Sequence, residues 1–231
     1  MPLFDVAREI AQDIFRNIVS LRESQDLFDD LTGGDAELSA IAAHVEAHVK
    51  KTLPAGFINR GFSYSTAIGY PFETQPFMHS RFGDGTYGTW YGALESETTI
   101  YETAYHMLKT ELAIEGQDGV VIRERAVYWV SCNAVLCDLT GKCEEYPQLL
   151  ANDYAFTRQI GKRLQKEGHP GLLARSARCE GSNIVVFKES ILSNARLAYY
   201  LTYYLDVPAR KLTVERSPGE IIAGIDGNCW F

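Results

Sequence analysis

Three places in the chain set charged or hydroxyl side chains among apolar or glycine-rich neighbours. The first is Arg81, in Ser80-Arg81-Phe82-Gly83-Asp84-Gly85. The second is the run Trp90-Tyr91-Gly92-Ala93-Leu94 leading to Glu102. The third is Arg175-Ser176-Ala177-Arg178, followed by a Gly181-Ser182-Asn183 turn. Guanidinium groups present a planar fork of donors to an anion, and a carboxylate near a helix start is held ionised by the helix dipole. Taken singly, the arginines read as surface groups, Tyr91 as a core aromatic and Glu102 as a solvated helix residue. Glu102 is the most informative, because it falls off the Ile100/Ala104/Leu108 stripe and so faces away from the core that this stripe covers.

Other chemistries lack their residues. There is no GxxxxGK[ST] phosphate loop, no GxGxxG opening a helix after a strand, and no GxSxG elbow. His44 and His48 are spaced i, i+4, but the acid between them is Glu46 rather than the residue after the first histidine, so HExxH is not met and no metal is expected. Cys132, Cys137 and Cys143 lack the CxxC spacing of zinc sites; with Cys179 and Cys229 they make an odd count of five that suits reduced thiols. Net charge is -8, which disfavours direct binding to DNA and leaves any anionic ligand small and met by a few placed arginines. The N-terminal MPLFDVAREIAQDIF has no continuous apolar core and no run approaches membrane-spanning length, so a cytoplasmic protein with no membrane contact is expected.

The elements that must carry these residues follow from periodicity. Val6, Ile10, Ile14 and Ile18 recur every four positions, with Phe15 and Val19 beside them, and predict a helix. A second helix is expected on Leu38, Ile41, Ala42, Val45 and Val49, so that residues 1–55 form a helical extension and 56–231 the main domain. Beyond residue 56 the texture is aromatic and glycine-rich. Strands are expected at Phe62 to Thr66, Gly85 to Ala93, Val120 to Ile122, Val127 to Val130, Ala134 to Leu139, Ile184 to Phe187, Leu197 to Val207 and Lys211 to Arg216. Helices are expected from an N-cap at Ser96, over 149–167, and for a turn or two near Ser190 to Ala195. Strands outnumber helices and mostly follow one another, which predicts an α+β fold. At 231 residues, such a chain buries roughly 70% of its unfolded surface and needs no disulfide or metal staple.

Together the polar residues resemble the RES domain family, named for its Arg, Glu and Ser. The resemblance runs from about Gly56 to Ala195 and rests on SRFGDGTYGTWYGALESETTIYETAYH at Ser80 to His106 and GHPGLLARSAR at Gly168 to Arg178. The family's Arg, Tyr and Glu, ten and then eleven residues apart, match Arg81, Tyr91 and Glu102, and its Ser matches Ser176. Arg175 departs from the small residue or proline expected before that serine. The resemblance implies a mixed β core with surrounding helices, like that of ADP-ribosyltransferase toxins such as diphtheria toxin. It also implies a toxin of a bacterial toxin–antitoxin pair that cleaves the nicotinamide–ribose bond of NAD, passing ADP-ribose to phosphate, water or a protein.

The chemistry of that reaction fits the residue types. Loss of nicotinamide leaves an oxocarbenium-like ribosyl cation, which needs a fixed anion beside the sugar, and Glu102 is the candidate. Arg81 would clamp the pyrophosphate, with Arg178 beside it, and Tyr91 would pack on nicotinamide or ribose. Ser176 would offer a hydroxyl to ribose or phosphate, oriented by Asn183. Nicotinamide in NAD is already a cationic leaving group, so NAD is a substrate and no resident cofactor is required. The implied partner is an Xre-type helix-turn-helix antitoxin, through which any DNA contact would run; a second copy of the chain is the other candidate. The alternatives are an ADP-ribosyltransferase acting on one specific protein and a silent module that only binds nucleotide or antitoxin.

Overall fold

The computed structural model describes residues 2–20, 65–73 and 75–231. They form an α+β structure whose eight strands are β1 (Ala7–Val19), β2 (Trp90–Ala93), β3 (Val120–Asp138), β4 (Gly171–Arg175), β5 (Ser182–Val186), β6 (Leu192–Asp206), β7 (Lys211–Glu215) and β8 (Ile221–Asp226). The helices are α1 (Tyr70–Glu73), α2 (Ser96–Glu111) and α3 (Ala155–Lys166), with short 3-10 turns between elements. Strand order is β1-β2-β5-β4-β3-β6-β7-β8, and β1 also pairs with β3. That additional pairing closes β1, β2, β5, β4 and β3 into a ring, from which β6, β7 and β8 continue as an open sheet. Among the described strands only β3 and β4 run parallel.

Alternation along the five ring strands fills the ring. Ile10 and Ile14 of β1, Trp90 of β2, Val130 and Leu136 of β3, Leu173 of β4, and Ile184 and Val186 of β5 pack in one buried cluster. The residues between them point outward. Tyr91 and Val185 are paired, Val185 pairs with Leu172, and Ala93 pairs with Asn183, which pairs with Ala174. This outer face is covered by Ile160 and Leu164 of α3 with Leu139, Leu149 and Phe82. A third cluster seats Ile100, Ala104, Met107 and Leu108 of α2 on Val127, Leu201, Tyr203 and Val214, as the apolar stripe of that helix requires.

The first element differs from expectation. Residues 7–19 are a strand, not a helix, and pair with β3 from Ala7↔Cys137 to Val19↔Arg125. A spacing of four is close to the helical 3.6 and also twice the strand period of two, so Ile10 and Ile14 share a face in either conformation. The β-branched content and the long partner decide for the strand. The second expected helix, at 38–49, lies outside the described residues, as do His44, His48 and Phe62 to Tyr64. Ser65–Gly69 is a single π-helical turn rather than the end of a strand.

Smaller departures have local causes. The strand expected from Gly85 begins only at Trp90, because Gly83, Gly85 and Gly88 serve turns and close approaches. The three strands expected between 120 and 139 are one, bent by register shifts at Val127/Tyr128 and Trp129/Ser131. The helix expected over 149–167 begins at Ala155, preceded by a 3-10 turn at Pro147–Leu149. Near Ser190 there is only a 3-10 turn, Glu189–Ile191, before β6. Strands β4 and β8 escaped the sequence reading. All five cysteines are free, and no helix among the described residues is long and apolar enough to cross a membrane.

Candidate active site

Glu102 stands in the second turn of α2, just past the first turn where the dipole is felt, and its carboxylate is held in place by side-chain donors. Ser176 Oγ and Asn183 Nδ2 both donate to Glu102 Oε1, each at 2.7 Å. Among the described residues Oε2 receives no hydrogen bond, which leaves one carboxylate oxygen open to a ligand. Asn183 comes from β5, and Ser176 from the loop leaving β4, where it is buried at 3% exposure. The serine hydroxyl also accepts from the Arg178 backbone N–H at 3.0 Å, while the Ser176 N–H donates to the Gly181 carbonyl. These bonds close the 176–181 loop into a fixed turn. A Cβ on Gly181 would lie 2.0 Å from Thr98 Oγ1, so only glycine lets the loop approach the first turn of α2 this closely.

Arg81 sits on a tight turn in which Ser80 N donates to the Gly83 carbonyl and His79 bridges to Asp84. Five further contacts fix that turn. The Tyr91 hydroxyl donates to Ser80 Oγ and accepts from the Phe82 N–H, both at 2.8 Å. Tyr87 donates to the Phe82 carbonyl, Arg158 Nε to the Ser80 carbonyl at 3.0 Å, and Lys162 pairs with Asp84 at 2.9 Å. Gly161 of α3 lies so close that a Cβ there would be 1.9 Å from the Phe82 carbonyl oxygen. Tyr91 therefore holds the residues on both sides of Arg81 through its hydroxyl. Burial pushes that hydroxyl up to about 12, with the Glu102 charge adding to the shift and Ser80, Phe82 and Arg81 opposing it, so it stays protonated at neutral pH.

The two expected ligand-binding arginines meet on one segment. Arg81 Nη1 donates to the carbonyls of Leu149 and Ala151 at 3.1 and 2.7 Å, and Arg178 Nη2 to Asn152 Oδ1 at 2.7 Å. The Tyr154 ring packs against the guanidinium groups of Arg81 and Arg158, at 4.6 and 5.6 Å. The Arg178 guanidinium carbon lies over the Tyr105 ring, 3.3 Å from its centroid. None of Arg81, Arg158 and Arg178 pairs with a carboxylate among the described residues, in a chain of net charge -8. Arg81 and Arg178 lie close enough to Glu102 for all three charges to act on His106.

Arg81, Tyr91, Glu102, Ser176, Arg178 and Asn183 are thus brought into one neighbourhood, with Asn183 bound to Glu102 rather than to Ser176. Sequence reasoning missed Tyr105, His106, Asn152, Tyr154 and Arg158. His106 was legible, since it lies one turn beyond Glu102 on α2 and therefore on the same face. Desolvation lowers its pKa below the ordinary histidine value; Glu102 opposes the shift, and Arg178, Lys109 and Arg81 reinforce it. Arg175 is exposed at the end of β4 and makes no hydrogen bond or ion pair with this network among the described residues. Among the described residues no three His, Cys, Asp or Glu side chains gather in a metal-binding group.

Among the solved structures similar to this chain is a chain of the M. tuberculosis MbcT-MbcA toxin-antitoxin complex, 13% identical, with a TM-score of 0.43 over 84% of this chain and 85% of that one. Comparison with curated protein sequences gives no match. The family model of the RES domain matches residues 54–206, the stretch that holds all six of the site residues predicted from sequence. The chain belongs to the RES domain family.

Proposed function

We propose that this protein is the toxin of a toxin–antitoxin pair and cleaves the nicotinamide–ribose bond of NAD, depleting NAD and arresting growth. The observation that carries the proposal is Glu102, a carboxylate with one oxygen saturated by Ser176 and Asn183 and the other open, beside arginines without carboxylate partners. In this reading the open Oε2 meets a ribose hydroxyl and the developing positive charge at C1′, while Oε1 cannot rotate away because two donors hold it. Arg81 and Arg178 take the pyrophosphate. The bond from C1′ to the nicotinamide nitrogen breaks with its electron pair going to nitrogen, which loses its formal charge, and the ribosyl cation is captured by the acceptor's lone pair. Tyr91 acts here by fixing Arg81; its hydroxyl is already committed.

The proposed partner is a cognate antitoxin, of the Xre type, that restrains the enzyme in a cytoplasmic setting. The test is to incubate purified protein with NAD, with and without phosphate, and identify products by mass spectrometry. Nicotinamide together with ADP-ribose, free or phosphorylated at the anomeric carbon, is expected. Intact NAD after long incubation with folded wild-type protein would overturn the proposal. Glu102→Gln keeps the two donors' volume partner but removes the charge, and it should lower turnover by at least about a hundredfold.

A further inference from the structure

Arg178 is oriented by little. Its guanidinium makes one side-chain hydrogen bond, to the exposed Asn152, and its Nε is buried without a partner. Its other constraint is the face of Tyr105, which is itself 2% exposed. What encloses Tyr105 is the end of the chain. Phe231 stacks parallel to it, with centroids 5.4 Å apart and planes at 7°, and Trp230 meets it edge-on at 5.6 Å and 84°. The turn before this pair is anchored independently of the site. Asp226 accepts from the Asn228 N–H, the Gly227 N–H donates to the Arg210 carbonyl, and a Cβ on Gly227 would lie 2.2 Å from Leu108 of α2. Phe231 is 49% exposed, so its contribution to the core is small.

We propose that Trp230 and Phe231 are positioning residues for the candidate active site: they hold the Tyr105 ring on which Arg178 lies, and so set where this guanidinium meets an anionic ligand. This rests on the reading of Arg178 as a pyrophosphate ligand of NAD. The pair touches no reacting atom. Its loss should let the Tyr105 ring turn and free Arg178 to leave the clamp, weakening capture of the nucleotide while Glu102, held from Ser176 and Asn183, remains in place. A loss of one cation–π support predicts a KM for NAD raised about three- to tenfold with kcat within about twofold.

The test uses the full chain with Phe231→Ala, alone and combined with Trp230→Ala, and two readouts. The first is backbone hydrogen exchange of 176–181, where the Ser176 and Arg178 amides are bonded within the loop; it should rise in the variants while β3 and β6 stay as protected as in wild type. The second is steady-state NAD turnover, which should show the raised KM, with Phe231→Tyr restoring it. Should the alanine variants lose their fold, Phe231→Leu keeps apolar cover without a flat ring and must shift both readouts in the same direction. Unchanged exchange, or raised exchange with an unchanged KM, overturns the proposal. If wild-type protein leaves NAD untouched, the substrate reading falls, and the exchange of 176–181 alone decides whether the aromatic pair holds Arg178.

Discussion

At the scale of single residues, Ser176 and Tyr91 divide two tasks that the sequence left undifferentiated. Ser176 is bound to the reacting centre through Glu102. Ser176→Ala removes a charge-assisted bond of about 1.5–3 kcal/mol and should lower kcat by roughly ten- to a hundredfold with little change in KM, measured by initial rates of nicotinamide release. Tyr91→Phe leaves Glu102 untouched but strands Ser80 and the Phe82 N–H around Arg81. It should therefore raise KM and cost about 1–3 kcal/mol of stability by chemical denaturation. His106 supplies a pH dependence. Its folded pKa lies below the ordinary 6.5, so the unfolded chain takes up a proton first, and stability falls as pH drops through about 6.5 toward the folded value. Because the His106 ring is exposed, the effect is small: thermal midpoints followed from pH 7.5 to 5 should fall slightly in wild type, and His106→Asn should flatten that part of the curve.

At the scale of elements, the site depends on close contacts more than on helix or strand propensity. The approach of α3 to the Arg81 turn has no room for a side chain at Gly161, where a Cβ would be 1.9 Å from the Phe82 carbonyl oxygen. Gly161→Ala should push that turn away and impair NAD capture well beyond what its loss of thermal stability would suggest, a comparison of KM with melting temperature. The motif residues of α2 and of the 176–183 stretch were legible because their chemistry is unusual for their surroundings: a carboxylate off the apolar stripe, and polar groups leading into a buried strand. Asn152, Tyr154 and Arg158 were not, because their role comes from a turn whose position is set by tertiary contacts with Arg81 and Arg178. Strand β1 was legible as an amphipathic element and misread in kind, since its four-residue spacing serves both periods. Strand β4, in Gly-Leu-Leu-Ala-Arg, carries no alternation because both of its faces are covered, by the ring cluster on Leu173 and by α3 on Leu172 and Ala174.

At the scale of the whole molecule, the closed ring ties residues 7–19 to the site they precede by so many positions. Ile10 and Ile14 complete the cluster around Trp90, Ile184 and Val186, and the buried guanidinium of Arg16 donates to the carbonyl of Tyr91. A chain trimmed to begin at residue 54, where the family match starts, would expose the open side of the ring and the unpaired edge of β3. It should be recovered mainly as aggregate, with near-ultraviolet dichroism of any soluble fraction lost; Ile14→Ala in the full chain should cost about 2–5 kcal/mol. The same ring has a consequence for synthesis. Strand β1 is made before β3, and the last residue of their pairing to find a partner, Ala7, waits for Cys137. At the usual pace of translation, the strand leaves the ribosome roughly 5–30 s ahead of its partner, with apolar residues and unmet peptide groups on display. The nascent chain should therefore be open to capture by cellular holdases in that interval, and slowing its translation between these two segments should lengthen the exposure without altering a single native contact.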